Sequence, residues 1–172
     1  MLFCYDVGMA KRLKVMPKKP LQISCCLVFD EDSRILLLQR HADDLGGGLW
    51  ATPGGKQEPG EDPATTAIRE VEEETGLKLK NIQYLGKHSL MMPHGVAHMR
   101  TYRAYVSQDE KIIINHNEHQ GHQWLSVADL LTTEKIIWGL PTTLSDFGLI
   151  QLLRIDPTLA DGSRAVLLEL AN

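Results

Sequence analysis

Between Asp62 and Leu77 the chain carries the signals of a single anchored helix, and three of its carboxylates stand on one face of it. Glu70, Glu73 and Glu74 fall at i, i+3 and i+4, where neighbouring Cβ atoms lie about 5–6 Å apart. Asp62 is an N-cap residue, Pro63 suits the first helical position, and Gly76 can end the helix in a left-handed residue. Ala64, Ala67, Ile68 and Val71 form an apolar stripe to bury against a sheet, and Leu77 adds contact just past the glycine. A helix packed on that stripe turns its glutamates away from the packed face. Three like charges held this close raise one another's proton affinity and cost stability unless a cation lies among them. A charge run is ordinarily a solvated face. The start, stop and burial signals around this one favour a metal platform instead.

The stretch Gly55 to Leu77, GKQEPGEDPATTAIREVEEETGL, resembles the Nudix box. That pattern is a glycine, five residues, a glutamate, seven residues, then REUxEExGU with U aliphatic. The match holds at Gly55, Glu61, Arg69, Glu70, Val71, Glu73, Glu74, Gly76 and Leu77, without departure. At average residue usage its chance probability at a given start is on the order of one in ten billion. Upstream, the run Gly46 to Glu61 resembles the family's approach to the box, a tryptophan followed by Pro-Gly-Gly. Downstream, Glu118, Trp124 and the helix start SVADLL resemble its late acidic loop and closing strand. The resemblance covers roughly residues 20 to 155.

The resemblance implies an α/β protein with the Nudix fold, an α/β/α sandwich with a mixed sheet between helices. It implies metal-assisted hydrolysis of a diphosphate linkage in a nucleoside diphosphate derivative. The metal ligands it implies are Glu70, Glu73, Glu74 and the backbone carbonyl of Gly54, the glycine just before the box. Oxygen-only ligation of this kind suits Mg²⁺ or Mn²⁺ rather than zinc. Arg69, Glu61 and Gly55 take supporting places, the arginine orienting a glutamate by a charge-assisted bond. The water's proton needs a base, and the family uses either a glutamate of the box helix or one before the closing strand, here Glu70 or Glu118.

A nucleoside triphosphate pyrophosphohydrolase fits the compact body best. The alternative is an ADP-ribose or nucleotide-sugar pyrophosphatase, for which Pro93, sixteen residues beyond Leu77, is a single weak sign. A reading of another class, a non-catalytic nucleotide-binding module on the same fold, predicts lost box carboxylates, and all are present. Isopentenyl diphosphate isomerases share the fold, but their catalytic cysteine has a different context from Cys25 and Cys26.

Charge agrees with a metal-dependent site. The net charge is −4, yet residues 61 to 74 carry six acids against one base, a balance of −5 that leaves +1 for the rest. Such a site repels phosphate unless divalent cations reverse the field. The run KRLKVMPKK at residues 11 to 19 carries five bases and no acid. A short terminal run of this kind is read as a soluble leader, with no specific nucleic-acid partner. Cys4, Cys25 and Cys26 show no metal or redox spacing. No apolar segment is long enough to span a bilayer, and the N-terminus has no signal-peptide core, so a cytoplasmic setting is expected.

Domain boundaries are set at a basic leader over 1–20, a Nudix domain over 21–155 and a C-terminal segment over 156–172 packed on the same domain. A homodimer is left open. Strands are expected at LQISCCLVF and RILLLQR, joined as a hairpin, then at NIQYLGKHSLMM, HMRTYRAYVS, KIIIN and HQWLSV. A second helix is expected from about Thr142 to Arg154. Tyr102, Tyr105 and Trp50 are candidates to stack on a base, each equally suited to the core. His116, His119 and His122 recur every three residues without cysteine partners and are read as loop polar residues rather than a zinc site.

Overall fold

The computed structural model describes residues 19–44, 46–92, 95–137, 139–155 and 166–170. Most of the basic leader, Pro93 and most of the C-terminal segment lie outside the described residues. The elements run β1 (Leu21–Phe29), β2 (Ile35–Arg40), β3 (Trp50–Ala51), β4 (Gly54–Lys56), α1 (Pro63–Thr75), β5 (Gln83–Met92) and β6 (Gly95–Tyr105). They continue with β7 (His119–Leu125), α2 (Val127–Thr132), α3 (Leu140–Asp146), β8 (Ile150–Ile155) and β9 (Val166–Leu170).

β1 sits at the centre of the main sheet, antiparallel to β2 and β4 and parallel to β6, so the sheet is mixed. β5 pairs antiparallel with β6 at one side, and β3 and β7 pair antiparallel with β2 at the other. The apolar runs of β1 and β2 have no polar phase because both of their faces are buried. Cys26, Val28, Leu36 and Leu38 face a core that includes Ala67 and Val71 of α1. Their alternates Leu27, Phe29, Ile35 and Leu37 face a second core with Leu130 of α2 and Leu140 and Leu144 of α3. The period-2 alternation of strand side chains thus feeds two cores from one run. Each fully buried aliphatic side chain stabilises the fold by about 1.5–3 kcal/mol. Among the described residues no helix is long and apolar enough to cross a membrane.

α1 begins and ends as its sequence predicts. The Asp62 carboxylate accepts from the backbone N–H groups of Ala64 at 2.9 Å and Thr65 at 3.2 Å. Gly76, at φ 73°, closes the other end with its N–H donating to the Glu72 carbonyl.

Two expected elements differ. KIIIN is not a strand: the Ile113 N–H donates to the Thr75 carbonyl at 2.8 Å and the Asn115 N–H to the Glu74 carbonyl at 3.0 Å. The segment satisfies carbonyls that the last turn of α1 leaves open. The expected long second helix stops at Asp146, where Gly148 at φ 69° turns the chain, and Ile150–Ile155 becomes β8, antiparallel to β9.

Candidate functional site

A cavity of about 860 Å³ opens where β1, β4, α1, β6 and α3 meet. Leu21, Ile23 and Cys25 of β1 line it at every second residue, in phase with Leu27 and Phe29, so it continues the α3-side core toward solvent. The carboxylates belong to α1, which packs against the alternate residues of β1. Gly54 and Gly55 of β4 open the way between them. A Cβ on Gly55 would fall 2.3 Å from Glu70 Oε2, and one on Gly54 would fall 2.5 Å from the Ser24 carbonyl oxygen. The absence of a side chain at Gly55 leaves room for the Glu70 carboxylate, and both Glu70 and Glu74 line the cavity.

Glu74 is 5% exposed, and its Oε2 accepts from the Gly54 N–H at 2.9 Å. Glu70 is largely buried and pairs through Oε1 with Arg69 Nη1 at 2.9 Å. Burial pushes the Glu70 carboxyl up, Arg69 pulls it back, and Glu74 and Glu73 push it further up. Glu73 is turned outward, half-exposed, with Oε2 on the same Arg69 Nη1 at 2.9 Å, and it is not among the described residues lining the cavity.

Arg69 is the hub of this face. Its Nε donates to Glu61 Oε1 at 2.9 Å and its Nη2 to Glu61 Oε2 at 3.1 Å, a two-pronged pair, while Nη2 also donates to the Lys56 carbonyl. The guanidinium, with N–H donation from Glu58 and the Thr66 hydroxyl, holds the Glu61 carboxyl down to about 2. Glu61 and Arg69 therefore brace the loop before α1 against the helix face that carries Glu70 and Glu73.

Glu118 reaches the same cavity from the segment that docks on the end of α1. Asn115, whose N–H is bonded to the Glu74 carbonyl, donates from Nδ2 to Glu118 Oε1 at 2.8 Å. One asparagine thus links the two acids. Glu74, Glu118 and His119 each offer a ligand atom, all within 4.8 Å of one another. A buried carboxylate, a nearby acid and a buried imidazole make a donor set that fits a divalent cation.

His119 is the residue that sequence reasoning missed. It is not a loop residue but the first of β7, 5% exposed, with Nε2 3.0 Å from Glu74 Oε1. The strand begins three residues before HQWLSV, and its register with β2 shifts between Gly121 and His119, so simple alternation back from Leu125 does not identify the histidine. Of the aromatic candidates, Tyr102 is buried in the α1-side core and Trp50 packs against the other. Tyr105 is exposed and stacks on Phe29. None of the three is among the described residues lining the cavity.

The wall facing the acids is apolar: Leu21, Ile23, Leu90, Val96, Met99, Ile137 and Leu140. Thr143 supplies a polar point there, its hydroxyl 3.2 Å from His88 Nε2. Burial pulls the His88 imidazole down, so its neutral form is favoured. Lys19, Arg40 and Lys56 also line the cavity. Cys25 is no ready nucleophile, because burial pushes its thiol up to about 11.

Comparison with known proteins points to one family. The NUDIX domain family model matches residues 18–145. The CTP pyrophosphohydrolase of Escherichia coli is 30% identical over 104 residues, covering 60% of this chain and 75% of that protein. A CMP-5'-(N-acetyl-N-hydroxy-3-aminopropyl)phosphonate hydrolase of Streptomyces rubellomurinus is 49% identical over 61 residues, 34% of this chain but only 29% of that protein's length. Among solved structures, a MutT protein from Methanosarcina mazei superposes with a TM-score of 0.69 at 25% identity, over 76% of this chain and 95% of that one.

Proposed function

The chain belongs to the NUDIX domain family, and on that premise we propose that it is a Mg²⁺- or Mn²⁺-dependent hydrolase of a diphosphate linkage, acting as a nucleoside triphosphate pyrophosphohydrolase. One observation carries this reading: Glu70 and Glu74 of the box helix and Glu118 of a remote segment line a single cavity whose opposite wall is apolar. The relative named as a CTP pyrophosphohydrolase supports the triphosphate as substrate, being similar over three quarters of its own length.

Glu70, Glu74 and the Gly54 carbonyl would hold the cation from the helix side and Glu118 from the far side. Glu73, turned to Arg69, is the outlying member of the ligand set and would join by exchanging that guanidinium for the cation. The metal, when bound, neutralises phosphate oxygens and activates water. The protein's own groups do the rest. Arg69 and Glu61 fix the helix face. The bases at the rim attract the phosphates, and Glu70 or Glu118 takes the proton from water. The apolar wall receives the nucleoside by exclusion of water, with Thr143 as a polar contact.

The test is phosphate release from nucleoside triphosphates, ADP-ribose, dinucleoside polyphosphates and nucleotide sugars, with and without Mg²⁺ and added pyrophosphatase. The expected outcome is Mg²⁺-dependent pyrophosphate release from a triphosphate, seen as phosphate only with pyrophosphatase present. Turnover of ADP-ribose or a nucleotide sugar alone would replace the substrate. Silence across the panel would leave a nucleotide-binding module.

A further inference from the structure

We propose that His119 is a nitrogen ligand, forming with Glu74 and Glu118 a mixed nitrogen and oxygen cation site that favours Mn²⁺ over Mg²⁺. The inference deepens the metal-dependent reading above and rests on it. His119 is buried to 5% exposure and lines the cavity beside both acids. Among the described residues neither of its ring nitrogens finds a hydrogen-bond partner. Nε2 nevertheless lies 3.0 Å from Glu74 Oε1.

No N–H···O bond joins that nitrogen to the carboxylate oxygen, so the buried imidazole is left without a hydrogen-bond partner although it stands against the acid. A cation held by both Nε2 and Oε1 would satisfy it. The neighbouring groups are held in place without it. The Gly54 N–H fixes Glu74 through Oε2 and Asn115 fixes Glu118 through Oε1. The ligand atoms of all three residues lie within 4.8 Å of one another, close enough to share one ion.

The donor type sets the preference. Mg²⁺ takes oxygen ligands and keeps several waters, whereas imidazole suits the transition metals. A chain whose box supplies only oxygen would discriminate little in favour of Mn²⁺. One imidazole in the set changes that, and the sequence neighbour of Glu118 is the residue that supplies it.

The experiment is Mn²⁺ titration of the full chain followed by electron paramagnetic resonance, free-ion signal for affinity and pulsed spectra for ligand nuclei. Wild type is expected to bind Mn²⁺ with modulation from a directly bound imidazole nitrogen, and the pattern should change when histidine is labelled with ¹⁵N. His119→Gln should lose that modulation and weaken Mn²⁺ binding by about 10–100-fold, with a far smaller change in Mg²⁺ affinity measured by competition. Bound Mn²⁺ without histidine coupling, or coupling that persists in His119→Gln, would overturn this inference and leave the carboxylate site standing. No Mn²⁺ binding by wild type would overturn this inference, and only the loss of Mg²⁺ binding as well would overturn the metal-dependent reading on which it rests. Thermal melting checks that His119→Gln folds, and if it does not, the ¹⁵N-labelled wild type decides alone.

Discussion

The two walls of the cavity are built on opposite principles. On the α1 side each acid is held by a donor whose position is itself fixed: Gly54 N–H for Glu74, Arg69 for Glu70, Asn115 for Glu118. On the far side Leu21, Ile23, Val96, Met99 and Leu140 offer contact without direction, and Thr143 with His88 adds a polar point. Directional bonds constrain which residue stands at each position, whereas an apolar wall accepts any side chain of suitable volume. The first wall therefore defines a reaction and the second a substrate.

The sharpest way to break this division is Glu74→Gln. It keeps the shape but loses the charge, and kcat/KM should fall by at least about 100-fold while the melting temperature of the metal-free protein holds. Wild-type turnover at saturating Mg²⁺ would remove the acids from the reaction. Gly55→Ala comes next. Its Cβ would displace the Glu70 carboxylate, the movable end of a side chain, so the protein should fold normally and lose activity by about tenfold or more. Circular dichroism and steady-state kinetics on the same preparation check both halves.

Met99→Ala on the opposite wall should raise KM by about tenfold with kcat little changed. An equal fall in kcat would mean that the two walls are not separable. The smallest effect is on stability. Arg69 holds the Glu61 carboxyl at about 2 in the folded chain against an ordinary 4.5. A depressed folded value means the ionised acid contributes stability above the unfolded value, and that contribution is lost as pH falls from about 4.5 through about 2. Glu61→Gln should lower the melting temperature at neutral pH and flatten its decline across that window.

What the sequence revealed follows the same division. The box helix was legible to its cap residues, because capping and like-charge spacing are local. The two-sided burial of β1 and β2 was readable from unbroken apolar runs. The KIIIN segment was not, since its β-branched residues carry strand propensity while its amides go to the end of α1, a tertiary demand that no local pattern encodes. His119 was hidden by a boundary error, the strand being started too late. The apolar wall was invisible for a deeper reason. Its residues come from β1, β5, β6, α3 and the segment before α3, and nothing in Leu21, Met99 or Leu140 taken singly distinguishes a cavity wall from a core.

The docking of residues 113–115 on the last turn of α1 has a further consequence. Glu118 is held to the box helix by two backbone amides, those of Ile113 and Asn115, in a segment that belongs to neither helix nor strand. Amide exchange at those two positions, slowed only while the segment is seated, reads out in solvent deuterium whether the second acid is beside the first. The integrity of the site is then measurable residue by residue in the free protein, before any substrate has been identified.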